Sequence, residues 1–251
     1  MTALPQAFLT APIAHRGLHG DGVPENSLAA ARAAIEAGYG IELDIQPAAD
    51  GTPMVFHDHD LTRLTGQKGL VSQTPVDTLQ GHRLLGSAEQ VPTLAQFLEL
   101  VAGQVPLLIE IKDQDGTLGP DIGDLHLRVA DALEGYDGPV AMMSFNPHQV
   151  AAFHDAAPDI PVGLTTCDFS EEHWPAIFPE RRAELAGITD FDRCGASFIS
   201  HAIGDLGDAR VDALAAQGVP ILCWTVRSAE QEQAARRIAG NITFEGYTPA
   251  A

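Results

Sequence analysis

The sequence predicts an α/β fold, a (β/α)8 TIM barrel, and three observations carry that expectation. Short β-like runs alternate with helix-like runs almost throughout the 251 residues. Neither a G-x-G-x-x-G nor a Walker motif is present, which weighs against the nucleotide-binding version of the alternative, a doubly wound sheet. Strand candidates centre on Ile13, Glu42, Val55, Ile109, Met142, Val162, Phe198, Leu222 and Thr243, one more than a barrel needs, and the surplus run at Val55 alone breaks the strand–helix alternation.

The helix candidates cover about 27–37, 93–102, 123–134, 147–155, 171–186, 208–217 and 228–239. Asn26 or Ser27 can cap the first, and Gly38 can end it. Thr93 with Gln96 forms a capping box for the second. Between the strands at Glu42 and Val55 lies only "QPAADGT", whose Asp50-Gly51 is a hairpin signal. A two-residue turn there predicts a hairpin arm after the second strand, with Asp44 opposite His57. The alternative is a direct crossover, which so short a link can barely make. Residues 58–92 read as a small irregular insertion of the kind that often forms a lid. No linker or internal repeat divides the chain, so residues 1–251 are expected to form one domain.

Composition narrows the function classes. The chain is 45% hydrophobic and carries a formal net charge of −20, with Lys68 and Lys112 its only lysines. So acidic a surface repels nucleic acid and anionic membranes, and an anionic substrate needs a local cationic device. Cys167, Cys194 and Cys223 are odd in number and show no C-x-x-C spacing, so they read as buried thiols of a reducing compartment. No basic leader precedes Arg16 and no uncharged apolar run approaches a membrane span. The expectation is a cytoplasmic protein without a stable membrane anchor; oligomeric state is not legible.

"GIELDIQ" (40–46) is the most informative segment. Ile41, Leu43 and Ile45 alternate with Glu42 and Asp44, so both carboxylates share one face of a strand. An acidic solvent face also fits this segment alone. In "PLLIEIKD" (106–113), Glu110 and Lys112 lie on the face opposite Leu107, Ile109 and Ile111. A plain Lys112–Glu110 salt bridge fits that run but leaves Glu42 and Asp44 unexplained. Three inward carboxylates on adjacent strands need a cation or a shared proton, and an all-oxygen set suits Mg²⁺ or Ca²⁺. Soft-metal sites want cysteines or several histidines, and neither clusters in the sequence. His15 and His57 each end a strand, at the barrel face where active sites form. Two imidazoles beside a metal can serve as general acid and base, with Arg16 and Lys112 holding an anionic oxygen. His19, His59 and His82 read as loop residues, and His126, His148 and His154 as helix positions.

His15-Arg16-Gly17, Pro24-Glu25-Asn26-Ser27, Glu42-x-Asp44, His57-Asp58 and Glu110-x-Lys112, continued by "MSF" (143–145) and "CWTV" (223–226), resemble the motif set of the glycerophosphodiester phosphodiesterase family. The resemblance implies a TIM barrel with a divalent metal on Glu42, Asp44 and Glu110, and catalytic His15 and His57. It further implies Arg16 and Lys112 at the phosphate, and Phe145 and Trp224 as walls of the site, although core packing also explains those two. The implied reaction is hydrolysis of a small glycerophosphodiester to glycerol 3-phosphate and an alcohol. A lysophospholipid-directed relative and a non-catalytic phosphodiester-binding barrel are the alternatives. Glu25 either orients the His15-Arg16 turn or favours the helix start. The last strand, "ITFEGYTP", departs from the pattern: Glu245 stands near the place where relatives commonly show a Thr-Asp pair.

Overall fold

Alternation along each strand sorts side chains into two cores, one against the helices and one on the barrel axis. The computed structural model describes residues 2–249, so the outermost positions of the expected 1–251 span lie outside it. Its strands are β1 (Ile13–Ala14), β2 (Gly40–Pro47), β3 (Pro53–Val55), β4 (Leu107–Ile111), β5 (Val140–Ser144), β6 (Val162–Thr166), β7 (Phe198–Ala202), β8 (Ile221–Val226) and β9 (Asn241–Phe244). All but β3 pair in parallel, and β1 pairs with both β2 and β9, closing the barrel. The chain is thus the expected (β/α)8 barrel.

The helices are α1 (Leu28–Ala37), α2 (Thr62–Thr65), α3 (Val76–Gly81), α4 (Leu94–Val101), α5 (Leu125–Leu133), α6 (Pro147–Ala156), α7 (Pro179–Ala186), α8 (Ala209–Ala216) and α9 (Ala229–Ala235). Ser27, not Asn26, caps α1 by accepting from Ala30 N at 3.0 Å. The Thr93–Gln96 capping box forms on α4. The helix expected over 171–186 covers only α7, because Pro175 lacks the N–H that a helix interior needs and Pro179 suits a first turn.

Ile41, Leu43, Ile45, Leu107, Ile109 and Ile111 face the helices. The axis is filled by Leu4, Phe8, Ile13, Leu108, Ala141, Met143, Phe198 and Leu222. Phe8 belongs to a 3-10 turn, Gln6–Leu9, which Asn241 ties down by donating to Phe8 O at 2.7 Å and Ala11 O at 2.6 Å. This turn packs at the N-terminal end of the barrel, so the open mouth is the C-terminal one.

The hairpin register is corrected. β3 does run antiparallel to β2 as a hairpin arm, but Ile45 pairs with Val55 and Pro47 with Pro53. The loop has three residues rather than two: Ala48 N bonds Thr52 O at 2.9 Å, and Gly51 takes φ 84°. One extra loop residue shifts the register by one, so Asp44 pairs with Phe56 and not with His57. Residues 58–92 form the expected small insertion, irregular over most of its length. They fold α2, α3 and a 3-10 turn around a core of Met54, Phe56, Leu61, Val71, Leu79, Leu84 and Val91.

Gly163 on β6 is a position where only hydrogen fits, because a Cβ would run into the Phe198 ring. Gly163→Val is expected to cost about 1–3 kcal/mol or more through overpacking, read as a lowered thermal midpoint. All three cysteines are buried and unpaired. Burial pushes the Cys223 thiol up to about 12 and Cys167 and Cys194 up to about 11. They are therefore expected to resist a disulfide reagent such as DTNB at pH 8 until the chain is unfolded; rapid labelling of the native protein would contradict that burial.

Candidate active site

The C-terminal mouth opens into a cavity of about 140 Å³ lined by His15, Arg16, Glu42, Asp44, His57, Glu110, Lys112, Phe145 and Trp224, among others. Every candidate residue named from the sequence therefore meets in one place. Met143, Thr225, Arg227 and Thr243 complete the lining; none of them was assigned a role in the site from the sequence.

The parallel register sets Asp44 beside Glu110 on neighbouring strands, with Glu42 one pleat below. One carboxylate oxygen from each of the three lies within 4.8 Å of the others, a grouping able to hold a metal ion. Lys112 Nζ reaches Asp44 Oδ1 at 2.6 Å and also bonds Glu110 Oε1. Burial pushes Asp44 up, yet Lys112, His57 and Arg16 outweigh it and hold its carboxyl well below the usual range. Glu42 moves the other way. Burial, reinforced by the charges of Asp44 and Glu110, raises it well above an ordinary carboxylate. The cluster is short of positive charge at Glu42, and its all-oxygen donor set fits a hard divalent cation.

The turn after β1 supplies the first imidazole. His15 N bonds Phe244 O at 2.9 Å, extending the ladder to β9. The chain then turns through left-handed Arg16 and Gly17, where a Cβ on Gly17 would meet Ala30 Cβ at 2.8 Å. Arg16 N donates to Glu42 Oε2 at 2.9 Å, while its side chain donates from Nη1 to Glu25 Oε1 at 2.8 Å. Asn26, relieved of capping, donates to Asp44 Oδ2 at 2.8 Å. Glu25 and Asn26 thus fix the Arg16 guanidinium and the Asp44 carboxylate.

Each imidazole has a carboxylate on Nδ1. His15 Nδ1 lies 2.6 Å from Glu245 Oε2, and His57 Nδ1 lies 2.7 Å from Asp58 Oδ1. The His15 bond, aided by His19 and Arg227, holds Glu245 well below the usual range. Burial raises Asp58, but its bonds to His57 and Arg63 win and lower it. An ionised carboxylate only accepts, so Nδ1 carries the proton in both rings and Nε2 is the basic nitrogen. His15 Nε2 lies 3.9 Å from Glu42 Oε2.

Arg63, which the sequence reading passed over, joins both sides. It donates to Asp58 Oδ2 at 2.6 Å and Asp58 Oδ1 at 2.9 Å, and to Glu25 Oε2 at 2.9 Å and Glu25 Oε1 at 2.8 Å. The expectation that histidines do not cluster is also corrected, since His19 and His15 meet at Glu245. Phe145 and Trp224 do wall the cavity, in an edge contact 5.5 Å between centroids, and Trp174 packs on Phe145 at 5.1 Å.

A parallel barrel with ionisable groups gathered at the carboxyl ends of its strands falls in the class of TIM-barrel enzymes. The model of the glycerophosphoryl diester phosphodiesterase family matches residues 15–242, and the chain belongs to that family. The glycerophosphodiester phosphodiesterase of Caldanaerobacter subterraneus is 33% identical over 167 residues, 62% of this chain and 66% of its own length. That of Bacillus altitudinis is 32% identical over 170 residues, 64% of this chain and 68% of its own. The chain thus spans about two thirds of these curated relatives. An Oleispira antarctica phosphodiesterase solved in complex with the product sn-glycerol-3-phosphate shares the fold, with a TM-score of 0.78, 23% identity, and coverage of 95% of this chain and 94% of that one.

Replacing Arg63 by Met removes the link between the His57 and Arg16 supports. Glycerophosphodiester turnover is expected to fall by about tenfold to a hundredfold. The thermal midpoint should move little, because Arg63 is half-exposed and such ion pairs contribute modestly. Unchanged kcat would show that the link does not position the site.

Proposed function

We propose that this chain hydrolyses small glycerophosphodiesters, such as glycerophosphocholine or glycerophosphoethanolamine, to glycerol 3-phosphate and an alcohol. The observation that carries this reading is the pairing of two carboxylate-anchored imidazoles with a three-carboxylate cluster in one cavity. The solved relative bound to sn-glycerol-3-phosphate supports the glycerol side of the substrate.

Glu42, Asp44 and Glu110 would hold Mg²⁺ or Ca²⁺, which when bound polarises a phosphoryl oxygen. Arg16 and Lys112 bind the phosphate oxygens, drawing on guanidinium and ammonium protons now shared with carboxylates. One imidazole takes a proton at Nε2 from the nucleophile while the other, in its protonated form, returns one to the leaving alkoxide. The Glu245 and Asp58 carboxylates orient the two rings through Nδ1. Water and the adjacent glycerol hydroxyl both fit as nucleophile. Phe145 and Trp224 exclude water from one wall.

The reading takes residues 1–251 as one catalytic domain. Its unpaired thiols fit a reducing, cytoplasmic setting, and its −20 charge disfavours nucleic acid as a partner. Among the described residues no helix is long and apolar enough to cross a membrane. A second reading, a lysophospholipid-directed phosphodiesterase, is favoured by the aromatic wall, which Trp174 and Phe169 extend.

The test is glycerol 3-phosphate release from glycerophosphocholine with Mg²⁺, with Ca²⁺ and with EDTA. Release is expected with a divalent cation and not with EDTA. His57→Ala should lower kcat by about 10²–10⁴-fold, and Glu42→Ala should abolish the metal response. No release with either metal from folded protein would sink the glycerophosphocholine assignment. Release from lysophosphatidylcholine instead would establish the second reading.

A further inference from the structure

His15 has two faces. Nε2 lies toward the carboxylate cluster, and Nδ1 turns to a second group of donors. Glu245 Oε2 lies 2.6 Å from His15 Nδ1 and 3.7 Å from His19 Nε2. One donor atom from each of these three residues lies within 4.8 Å of the other two. His19 Nε2 is shielded from solvent and makes no hydrogen bond, its facing group being Glu245 Oε2 at 3.7 Å. The position of His19 is built. His19 N bonds Gly17 O at 2.9 Å, and the turn closes with a Gly20–Val23 bridge. Glu245 is braced as well, with Arg227 Nε donating to Oε1 at 2.7 Å and leaving Oε2 for the two imidazoles. Ligand carboxylates carry outer partners of this kind.

The chemistry of this group differs from that of its neighbour. Glu42, Asp44 and Glu110 offer only oxygens, the choice of hard cations. Two imidazole nitrogens with one carboxylate oxygen make the three-ligand set of zinc sites that keep a fourth position open to solvent. The two sets would therefore sort metals by donor type.

We propose that His15, His19 and Glu245 form a second cation site, selective for zinc-class ions, whose occupation takes His15 out of proton transfer. Coordination at Nδ1 requires the proton on that nitrogen to move to Nε2, with no net proton released. The ring then presents N–H toward Glu42 and can no longer accept a proton there. The binding half stands on the donors alone. The inhibitory half rests on the role proposed above for His15.

The probe is Co²⁺, added to the protein in excess Mg²⁺, which would compete for the carboxylate cluster. Imidazole-ligated Co²⁺ of low coordination number absorbs strongly in the visible, whereas Co²⁺ on an all-oxygen octahedral site absorbs weakly. One equivalent with strong bands is expected in the wild type, and the bands should vanish in His19→Ala and His19→Gln. In the activity assay Zn²⁺ should inhibit the wild type. Relative to its own rate without Zn²⁺, His19→Ala should need about tenfold to a hundredfold more Zn²⁺ for inhibition. Weak absorption in the wild type, or strong bands that survive in both His19 variants, overturns the site. The spectral readout needs no turnover, so strong bands in a protein without hydrolase activity would count against the proposed reaction and not against this site.

Discussion

Three carboxylates stand side by side in the barrel mouth, and the need to balance them organises what surrounds them. Glu42, Asp44 and Glu110 are buried on adjacent strands, where like charges repel one another and lose hydration, and Glu42 is raised as a result. The neighbouring sequence reads as a response to that constraint. Lys112, two residues beyond Glu110, bridges Asp44 and Glu110. Arg16 offers its backbone N–H to Glu42 and its guanidinium to Asp44 at 3.4 Å. Asn26 adds a neutral donor to Asp44. A protein of net charge −20 has placed one of its two lysines here, which marks this as a local electrostatic necessity and not a surface ornament.

The insertion makes that cluster usable. The β2–β3 hairpin carries His57 past the end of the barrel, and Gln46 Nε2 holds its carbonyl at 3.1 Å. The small core under Met54, Phe56 and Leu61 then anchors α2, whose Arg63 grips Asp58 and Glu25 together. Imidazole and guanidinium thus rest on a common brace, although one follows β3 and the other β1. A bare loop in this position would leave two flexible side chains to order themselves on each encounter with substrate, at the entropic cost of fixing their rotamers.

What was legible in the sequence is what strand parity and local capping determine. Period-two alternation in 40–46 and 106–112 placed Glu42, Asp44, Glu110 and Lys112 on one face, and the register confirms their adjacency. Thr93 and Gln96 announced α4 within four residues. Information of longer range was hidden. The hairpin register hung on whether Asp50-Gly51 fills a two- or a three-residue loop, and both use glycine at positive φ. The insertion's apolar residues are spaced too unevenly for either period to show, so its core emerged only in three dimensions. Glu245 meets His15 across a separation of 230 residues, a contact that barrel closure makes and no local pattern encodes. His19 looked like a loop residue because it is one, and its nearness to Glu245 follows from the same closure.

The two carboxylate families at the mouth respond to protons in opposite senses. Asp44, Asp58, Glu25 and Glu245 are held below their ordinary values, so the stability they contribute is present above the usual carboxylate range and is lost as pH falls through their lowered values. Glu42 is raised, so the folded chain holds a proton there that the unfolded chain has already released. Between those two pKa values, rising pH makes Glu42 a burden to the fold. A divalent cation would remove that burden by supplying the charge the proton supplied. Proton and cation therefore compete for the same deficit, and the competition tilts toward the cation as pH rises through the raised Glu42 value. Lys112 and Arg16 cannot settle it alone, since each is already engaged with Asp44. Above the raised Glu42 value an ion in the cluster would thus favour the fold, which would tie the stability of the mouth to the chemistry proposed for it.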